Sequence, residues 1–233
     1  GMRYSYAYDE MGRLKEKCAS GRRLLSLSYD LNGNLTKQED VTGKVTEYRY
    51  DLLDRVAEVW DNGKRTAEYT YYPDDSIKSL RNGEGLYTEY AYDHDKNLTM
   101  LKTVLGTEVL AENFYRYDGN GNRTQKEQLQ GAARGLTSYR YDSLNQLCAV
   151  EYPGRKEELF YDRAGNRTGR IVDGVEERYF YDRRNRLVSY EKDGGVSRFA
   201  YDDAGNLLRD GRASYTYDAF NRQTKAEMFD GNI

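Results

Sequence analysis

Residues 171–182 read IVDGVEERYFYD, and they contain one complete cycle of the pattern that runs through this chain. Asp173-Gly174 is a dipeptide suited to a tight type I′ hairpin turn between two apolar or alternating runs. Tyr179 and Tyr181 are separated by one residue, which places both rings on the same face of an extended strand. Asp182 then begins a second turn. The stretch therefore predicts a strand, a turn, a second strand and another turn, which is one β-hairpin.

The Tyr-Asp dipeptide recurs ten times along the 233 residues, and Tyr71-Tyr72 fills one vacant slot, which gives eleven copies. Most copies are 20 or 21 residues apart, with extremes of 16 and 25. A fixed period of this length is the signature of a tandem-repeat fold. The predicted structural positions are Tyr8-Asp9, Tyr29-Asp30, Tyr50-Asp51, Tyr71, Tyr92-Asp93, Tyr117-Asp118, Tyr141-Asp142, Tyr161-Asp162, Tyr181-Asp182, Tyr201-Asp202 and Tyr217-Asp218.

The turn that follows each Tyr-Asp has a physical explanation. The Asp carboxylate accepts backbone N–H groups just ahead of it, and the residue three positions later is of a type that tolerates positive φ. Lys96 is the exception. These third positions are Gly12, Gly33, Gly121, Gly165 and Gly205, with Asn or Asp at 54, 75, 145, 185 and 221. Further type I′ turns are predicted at Asn62-Gly63, Asn82-Gly83, Asp173-Gly174 and Asp210-Gly211.

The predicted fold is all-β: one array of about eleven hairpins over residues 1–233, forming a continuous curved antiparallel sheet. Up to about 22 strands spaced roughly 4.8 Å apart are too many for a flat open sheet, so the sheet is expected to curl. Longer spacings place an insertion near residues 124–135, and Gly131–Gly135 is either a linker or a long hairpin tip. Gly1 before Met2 is interpreted as an expression scar.

Composition excludes several classes of protein. Leu, Ile, Val and Phe make up 42 of 233 residues, whereas Tyr contributes 24, so tyrosine replaces much of the usual aliphatic core. A net charge of −3 argues against a nucleic-acid or anionic-membrane partner. No stretch is apolar enough for membrane insertion by this segment. Cys18 and Cys148 lack the spacing of a disulfide framework or zinc site.

The YxYD-xx-G-N/R-L pattern, as in residues 6–14 and 199–207, resembles the YD-repeat or Rhs-repeat family. That family includes bacterial Rhs and wall-associated proteins, insecticidal toxin-complex C components and teneurins. The resemblance implies a hollow spiral shell that is part of a secreted or cell-surface protein. It further implies a non-catalytic wall segment whose partners are the rest of the parent chain and a carboxy-terminal toxin or effector.

No catalytic, cofactor or metal site is predicted. His94, the sole histidine, occupies a variable turn position. The Asn- and Gly-rich turns after Asp30 and Asp118 lack the later ligands of an EF-hand. The alternative function is carbohydrate binding or cell-surface adhesion, for which Trp60 is the candidate glycan contact. Two free strand edges also predict edge-strand self-association.

Overall fold

The computed structural model describes residues 2–229, which form 23 β-strands and no helix within that range. No described segment has the length and apolar character of a membrane-spanning helix. The strands are β1 (Tyr4–Tyr8), β2 (Leu14–Ala19), β3 (Arg22–Tyr29), β4 (Leu35–Asp40), β5 (Val45–Tyr50), β6 (Val56–Asp61), β7 (Lys64–Tyr71), β8 (Ile77–Asn82), β9 (Leu86–Tyr92), β10 (Leu98–Leu105), β11 (Glu108–Tyr117) and β12 (Arg123–Gln130). The remainder are β13 (Ala133–Tyr141), β14 (Leu147–Tyr152), β15 (Arg155–Tyr161), β16 (Arg167–Val172), β17 (Val175–Tyr181), β18 (Leu187–Lys192), β19 (Gly195–Arg198), β20 (Ala200–Tyr201), β21 (Leu207–Arg209), β22 (Ala213–Tyr217) and β23 (Gln223–Met228).

The prediction of an all-β hairpin array is confirmed. Strands β1–β19 belong to one antiparallel sheet and β20–β23 to a second. Strands that are consecutive in the chain pair with each other, as β1 with β2 and β2 with β3. The Tyr that ends an incoming strand pairs with the first residue of the outgoing one, as Tyr8 does with Leu14. The register shifts just before this Tyr, so the turn and its irregularity recur together.

The chain divides into two compact units. The first comprises Gly1–Arg116 and Glu127–Arg134, and the second comprises Tyr117–Lys126 and Gly135–Ile233. Each unit is built from the same hairpin and the same turn. The assignment of residues 1–233 to a single array stays a prediction.

The two longer spacings in the middle of the chain come from two lengthened hairpins, β10–β11 and β12–β13. Strands β12 and β13 extend the pattern, and Gly131 at their tip has a φ of 57°. Arg134 forms an ion pair with Glu127 beside this tip. The stretch that begins at Gly131 is therefore a hairpin tip, and β13 begins within it at Ala133.

The secondary turns are of two kinds. Asn62-Gly63 and Asp173-Gly174 have positive φ at both residues, as a type I′ turn requires. The same prediction was wrong for Asn82-Gly83, because Asn82 imitates the Tyr-Asp turn: its Oδ1 accepts the N–H groups of residues 84 and 86, and Gly85 takes the positive φ. Asp210-Gly211 is likewise not type I′, since the Asp210 carboxylate accepts the N–H groups of residues 212 and 213.

The described part of the chain contains only four buried hydrophobic residues, which are Ala149, Val150, Leu159 and Ala213. Most tyrosines inside the array are half-buried. A thin core of this kind leaves much of the stabilisation to contacts between neighbouring hairpins, which is typical of repeat proteins. The repeated turn is where those contacts are concentrated.

The first sheet ends at a split strand. In the first sheet, β19 pairs with residues Ser189 to Lys192 of β18. Ala200 and Tyr201, which come after β19 in the chain, pair instead with β21 of the second sheet. Phe199 lies between these two pieces, and its N–H donates to the Val188 carbonyl at 3.0 Å. A cavity of about 780 Å³ lies at the split, between Phe199 and Phe229.

Candidate functional site

The Tyr-Asp turn is the recurring site of this molecule, and its eleven copies, turns 1 to 11, begin in chain order at Asp9, Asp30, Asp51, Tyr72, Asp93, Asp118, Asp142, Asp162, Asp182, Asp202 and Asp218. In turn 1 the Asp9 N–H donates to the Arg13 carbonyl at 2.9 Å, and the Gly12 N–H donates to the Asp9 carbonyl at 3.0 Å. The same two bonds recur in all eleven turns. The loop thus holds three residues, and its last residue is left-handed.

In all eleven turns, the residue three positions after the leading one has a positive φ. Glycine fills this place in turns 1, 2, 6, 8 and 10, and Asp or Asn fills it in five others. Lys96 in turn 5 also has a φ of 64°, so the residue that departs from the sequence rule adopts the common geometry. Its Nζ donates to the Asp74 carbonyl of the preceding turn at 3.0 Å, a contact that accompanies this backbone conformation.

The carboxylate of the leading Asp organises the loop from inside. In turn 1, Oδ1 of Asp9 accepts the N–H groups of Met11 at 3.0 Å and Arg13 at 2.9 Å, while Oδ2 accepts the Arg13 guanidinium at 2.7 Å. In turn 8, Asn166 fills the Arg13 position and binds Asp162 in the same way. This double use of the carboxylate explains why Arg or Asn so often ends the loop.

These bonds favour the ionised carboxylate. The pKa of Asp9 is lowered chiefly by the Arg13 backbone N–H. The pKa of Asp51 is lowered chiefly by the Arg55 guanidinium, and that of Asp162 by the side-chain amide of Asn166. The folded turn therefore binds a proton less readily than the unfolded chain does.

The side chain that ends one loop also reaches the next loop, which sequence reasoning did not anticipate. Arg13 Nη1 donates to the Asp30 carbonyl at 3.1 Å, and Asn34 Nδ2 donates to the Asp54 carboxylate at 2.7 Å. Where the next loop has Asp or Asn at its positive-φ position, the Asn amide donates to that side chain. Where the position is Gly, the Arg guanidinium donates to the backbone carbonyl of the leading Asp. The Asn links are 34 to 54, 122 to 145, 166 to 185 and 206 to 221, and the Arg links to Gly-containing loops are 13 to 30 and 186 to 202.

The phenol of the Tyr before each Asp makes a second joint between neighbours. Tyr161 OH donates to the Leu147 carbonyl, the first residue of the strand that leaves the preceding turn, at 3.0 Å. Burial raises the pKa of Tyr161, so its proton stays on the hydroxyl at neutral pH. The same bond links Tyr29 to Leu14, Tyr50 to Leu35, Tyr71 to Val56, Tyr141 to Arg123, Tyr181 to Arg167, Tyr201 to Leu187 and Tyr217 to Leu207.

Arginine adds to this joint by covering the tyrosine ring. The Arg13 guanidinium lies 4.6 Å from the Tyr29 ring centroid, and Arg55 lies 4.5 Å from that of Tyr71. Such cation–π contacts contribute about 0.5–1 kcal/mol at exposed sites. Arg13 therefore contacts its own Asp, the next loop and the next Tyr.

Tyr8, turn 4 and Tyr92 each have a distinct environment. Tyr8 in β1 is 61% exposed, and no strand in the described part of the chain precedes β1. Turn 4 retains both backbone bonds although Tyr72 replaces Asp, and Asp74 accepts the Ser76 N–H instead. Tyr92, at the end of β9, packs edge-on against Tyr72 with ring centroids 6.2 Å apart. Tyr117 ends β11.

A charged cluster in the second compact unit is a feature that sequence reasoning missed. Glu177 is only 5% exposed, and its carboxylate accepts Tyr179 OH at 2.7 Å and Lys192 Nζ at 3.0 Å. Arg170 lies between Glu177, at 3.4 Å, and Glu157, at 2.7 Å. Burial disfavours the charge on Glu177, but its hydrogen bonds outweigh burial and lower the pKa to about 2. The pKa of Tyr179 is raised to about 12 by burial and by Glu177.

Trp60 is already engaged within the sheet. The Arg49 guanidinium covers its ring at 4.4 Å, and its indole N–H donates to Glu58 at 2.9 Å. His94 is exposed at the tip of turn 5. Among residues 2–229, no group of His, Cys, Asp and Glu is arranged to hold a metal ion. Cys18 and Cys148 are free thiols.

Comparison with known proteins gives matches at the levels of sequence profile and fold. The profile of the Teneurin YD-shell family matches residues 41–176, which is more than half of the chain. No curated protein sequence matches the chain.

Solved structures of Tc toxins share the fold. The TcdB2-TccC3-Cdc42 structure is 16% identical with a TM-score of 0.66, over 97% of this chain and 14% of that one. The Photorhabdus luminescens Tc holotoxin pore, in a TccC3 mutant form, is 17% identical with a TM-score of 0.60, over 91% of this chain and 14% of that one. The chain thus spans about one seventh of the length of these structures.

Proposed function

The chain belongs to the Teneurin YD-shell family of YD-repeat proteins, and from this premise we propose that it is a wall segment of a shell that encloses a carboxy-terminal toxin or effector. In this proposal the segment has no catalytic role. Its partners are the rest of the parent chain and the enclosed polypeptide. The parent protein is secreted or displayed at the cell surface, as the family resemblance implies.

One observation carries this proposal: the repeated polar groups form hydrogen bonds within and between neighbouring hairpins. The Tyr hydroxyls and the Asp carboxylates, the groups that chemistry or ligand binding would need, are bonded to the neighbouring hairpin or to their own loop. Arg and Asn side chains at the loop ends are likewise bonded to the next turn. A site built this way joins hairpins into a sheet, which is what a wall requires.

The fold shared with the Tc toxin structures supports the proposed wall segment. Another structure with this fold is that of TcdB2-TccC3 without its hypervariable C-terminal region, so that protein has a variable segment at its end. We propose by analogy that the parent of this chain also has a variable carboxy-terminal polypeptide, held inside the shell. The cargo itself is proposed from the family alone.

Limited proteolysis of the full-length parent with mass spectrometry tests the wall function. We expect a carboxy-terminal polypeptide that is cleaved from the repeats, stays associated and resists protease. A matched pair of parent variants sharpens the test: Tyr161→Ala, which removes a joint, is expected to expose the cargo to protease, and Leu144→Ala, at an exposed turn tip, is not. A parent whose carboxy-terminal region is digested as fast as an unfolded chain would contradict the proposal.

Self-association through edge strands is a further part of the proposal. All residues of β1 and β23 are exposed. Within residues 2–229, the Arg222 side chain in turn 11 contacts its own loop, through Asp218 and the Phe220 ring, and no other turn. In the regular repeats this Arg position contacts the next turn, so a second copy placed at this edge supplies the contact. Sedimentation velocity of the 233-residue chain at increasing concentration is expected to show a dimer, and a strictly monomeric chain would contradict it.

Glycan binding receives no comparable support. The Trp60 ring, the predicted sugar contact, is covered on one face by Arg49, and its N–H is bonded to Glu58. Stacking on a sugar needs a free aromatic face and polar groups around it. We therefore keep the wall segment as the single proposed function.

A further inference from the structure

Four successive turns of the first compact unit carry apolar side chains at their tips. Leu31 in turn 2 and Leu52 in turn 3 are fully exposed, at 104% and 103% of the reference area. Met11 in turn 1 and Leu53 in turn 3 are also exposed. Pro73 holds the equivalent place in turn 4. We call these five residues the tip row.

The fold does not require these side chains. The loops of turns 1 to 3 are held by the Asp carboxylate, by backbone N–H groups and by the side chain at the loop end, and the apolar side chains of the tip row take no part in these bonds. Turns 5, 6, 8, 9 and 10 have polar, charged or small residues at these positions: His94, Asp95, Gly119, Asn120, Arg163, Ala164, Arg183, Arg184, Asp203 and Ala204. Turns 7 and 11 carry single exposed apolar tips, Leu144 and Phe220. Single exposed leucines are ordinary on protein surfaces, but a contiguous apolar patch marks an interaction site.

The tips are neighbours because the turns that carry them are bonded side by side. Arg13 in turn 1 contacts Asp30 in turn 2, and Asn34 in turn 2 contacts Asp54 in turn 3. Arg55 in turn 3 contacts Asp75 in turn 4 at 2.8 Å. Neighbouring turns are two strands apart, which is about 10 Å. The tip row therefore runs roughly 30 Å along one end of the strands.

The tip row ends at a cavity. A space of about 300 Å³ lies beside turn 4, lined by Pro73 and the rings of Tyr72 and Tyr92. Its volume suits one large side chain. The apolar surface thus changes from exposed tips to an aromatic pocket within the same row of turns.

The same four turns are strongly acidic. Residues 9–13, 30–34, 51–55 and 72–76 contain seven carboxylates and two guanidinium groups. Both guanidinium groups, on Arg13 and Arg55, are paired with the leading Asp of their own loops at 2.7 Å. Asp75 also pairs with Arg55, and Asp74 pairs with Lys96 of turn 5. The seven carboxylates still outnumber these three cations, so this end of the strands has a negative field around the apolar tips, which favours a positively charged partner.

We propose that the tip row is a docking surface for a cationic peptide segment with an apolar face. The apolar face of the segment covers Leu31, Leu52 and Leu53, and one large side chain enters the cavity beside Pro73. Lysine or arginine residues at the margins of the segment meet the carboxylates of turns 1–4. This surface lies at the ends of the strands, so docking leaves the joints between hairpins intact and adds a binding role to the wall.

Fluorescence anisotropy with designed probes tests this surface on the whole 233-residue chain. The probe is a labelled amphipathic Leu/Lys peptide, and its matched control is a Leu/Glu peptide with the same apolar pattern. We expect saturable binding of the Leu/Lys peptide, weaker at high salt, and none of the Leu/Glu peptide. Replacing Leu31, Leu52 and Leu53 together by Ser is expected to weaken binding by about tenfold or more, since apolar anchors carry much of the energy of an interface.

A control variant separates the tip row from general charge attraction. Leu144 in turn 7 is also an exposed tip, at 70%, but belongs to the second compact unit, so Leu144→Ser is expected to leave binding unchanged. Equal binding by the triple Ser variant and the original chain would overturn the proposal, as would equal weakening by Leu144→Ser. Circular dichroism should show the same fold in every variant, because all four leucines are exposed.

Two further readouts decide the occupant. Glu10→Lys adds a positive charge beside Met11 and is expected to weaken Leu/Lys binding without touching the leucines, so the test stands even if the triple variant folds poorly. A dimer of the original chain that the triple variant loses in sedimentation velocity would instead identify a second copy as the occupant, and would overturn the cationic segment.

Discussion

Asn34 and Asp54 lie 20 residues apart in sequence, yet the Asn34 Nδ2 donates to the Asp54 carboxylate at 2.7 Å and so joins turn 2 to turn 3. Asn34 also bonds Asp30 in its own loop. One side chain thus closes a loop and connects it to its neighbour. The same double use of one side chain recurs along the chain. Arg takes the place of Asn before the Gly-containing loops at Asp30 and Asp202, and Arg55 bonds the Asp75 side chain of turn 4.

A double-mutant cycle measures this joint. Asn34→Ala and Asp54→Gly are expected to show a coupling free energy of roughly 1 kcal/mol in urea unfolding, because the two side chains bond each other directly. Gly is chosen at position 54 because the φ of 59° there would strain Ala. Asn97→Ala combined with Asp54→Gly is the control, since their turns are not neighbours. Equal coupling in both cycles would refute a specific joint.

Tyr161 allows the hydroxyl joint to be tested separately from the ring. Tyr161→Phe is expected to cost about 1 kcal/mol of unfolding free energy, since it leaves the Leu147 carbonyl without its partner. Tyr161→Ala is expected to cost roughly 3 kcal/mol, the scale for a large aromatic in a packed site. Tyr8→Phe is the control, because Tyr8 is 61% exposed and no strand precedes β1 in the described part of the chain. Thermal melts in which Tyr161→Phe and Tyr8→Phe match the original chain would contradict a stabilising hydroxyl.

The turn carboxylates predict a loss of stability in acid. Their folded pKa values are lowered, so their contribution is complete above the unfolded value near 3.9 and is lost as the pH falls through the folded value. Urea midpoints should therefore hold between pH 7 and about 5 and decline below about 4. Asp162→Asn should reduce this decline, whereas Asp95→Asn, at an exposed tip, should not. A midpoint independent of pH down to about 2.5 would disprove the role of these carboxylates.

Glu177 predicts a second acid-sensitive element in the second compact unit. Glu177→Gln is expected to lower the free energy of unfolding by roughly 2 kcal/mol. It removes the negative charge that pairs with Lys192 and Arg170 and accepts the Tyr179 hydroxyl. The pKa of about 2 against an ordinary value of 4.5 means that this contribution is lost as the pH falls from 4.5 toward 2. Glu176→Gln is the matched control, since Glu176 is exposed. Chemical denaturation at pH 7 and pH 3 gives both comparisons.

Gly83 is a position where a methyl group has no room. A Cβ there would lie 2.7 Å from the Arg65 carbonyl oxygen, which is backbone and cannot move aside easily. Gly83→Ala is expected to destabilise the chain by about 1–3 kcal/mol in thermal or urea unfolding. Gly119→Ala is the control, because a Cβ at that position would meet nothing within 4 Å and the φ there is not positive. Equal stability of the two variants would show that the strands can separate at Gly83.

The strands, the Tyr-Asp turns and their left-handed residues follow from short-range sequence rules, which is why Asp9, Gly12 and their equivalents could be placed from the sequence. The contacts between loops could not. Whether Asn34 faces Asp54 or another residue depends on the register of strands 20 residues apart, and the local pattern does not contain that register. The type I′ prediction for Asn82-Gly83 was wrong for a related reason. The dipeptide alone favours a type I′ turn, but Asn82 Oδ1 accepts the N–H groups of residues 84 and 86, which selects a turn like the Tyr-Asp turn.

The joints described above always link a hairpin to its immediate neighbour. In each of the eight Tyr joints described above, the hydroxyl reaches a carbonyl 10 to 18 residues earlier in the chain. Duplicating or deleting one whole repeat therefore preserves the set of joints, provided that an Asn still precedes a loop with an Asp or Asn side chain. Gene rearrangement in steps of one period can lengthen or shorten such a protein without redesigning any interface. Under the proposed wall function, this would fit the shell to enclosed polypeptides of different size.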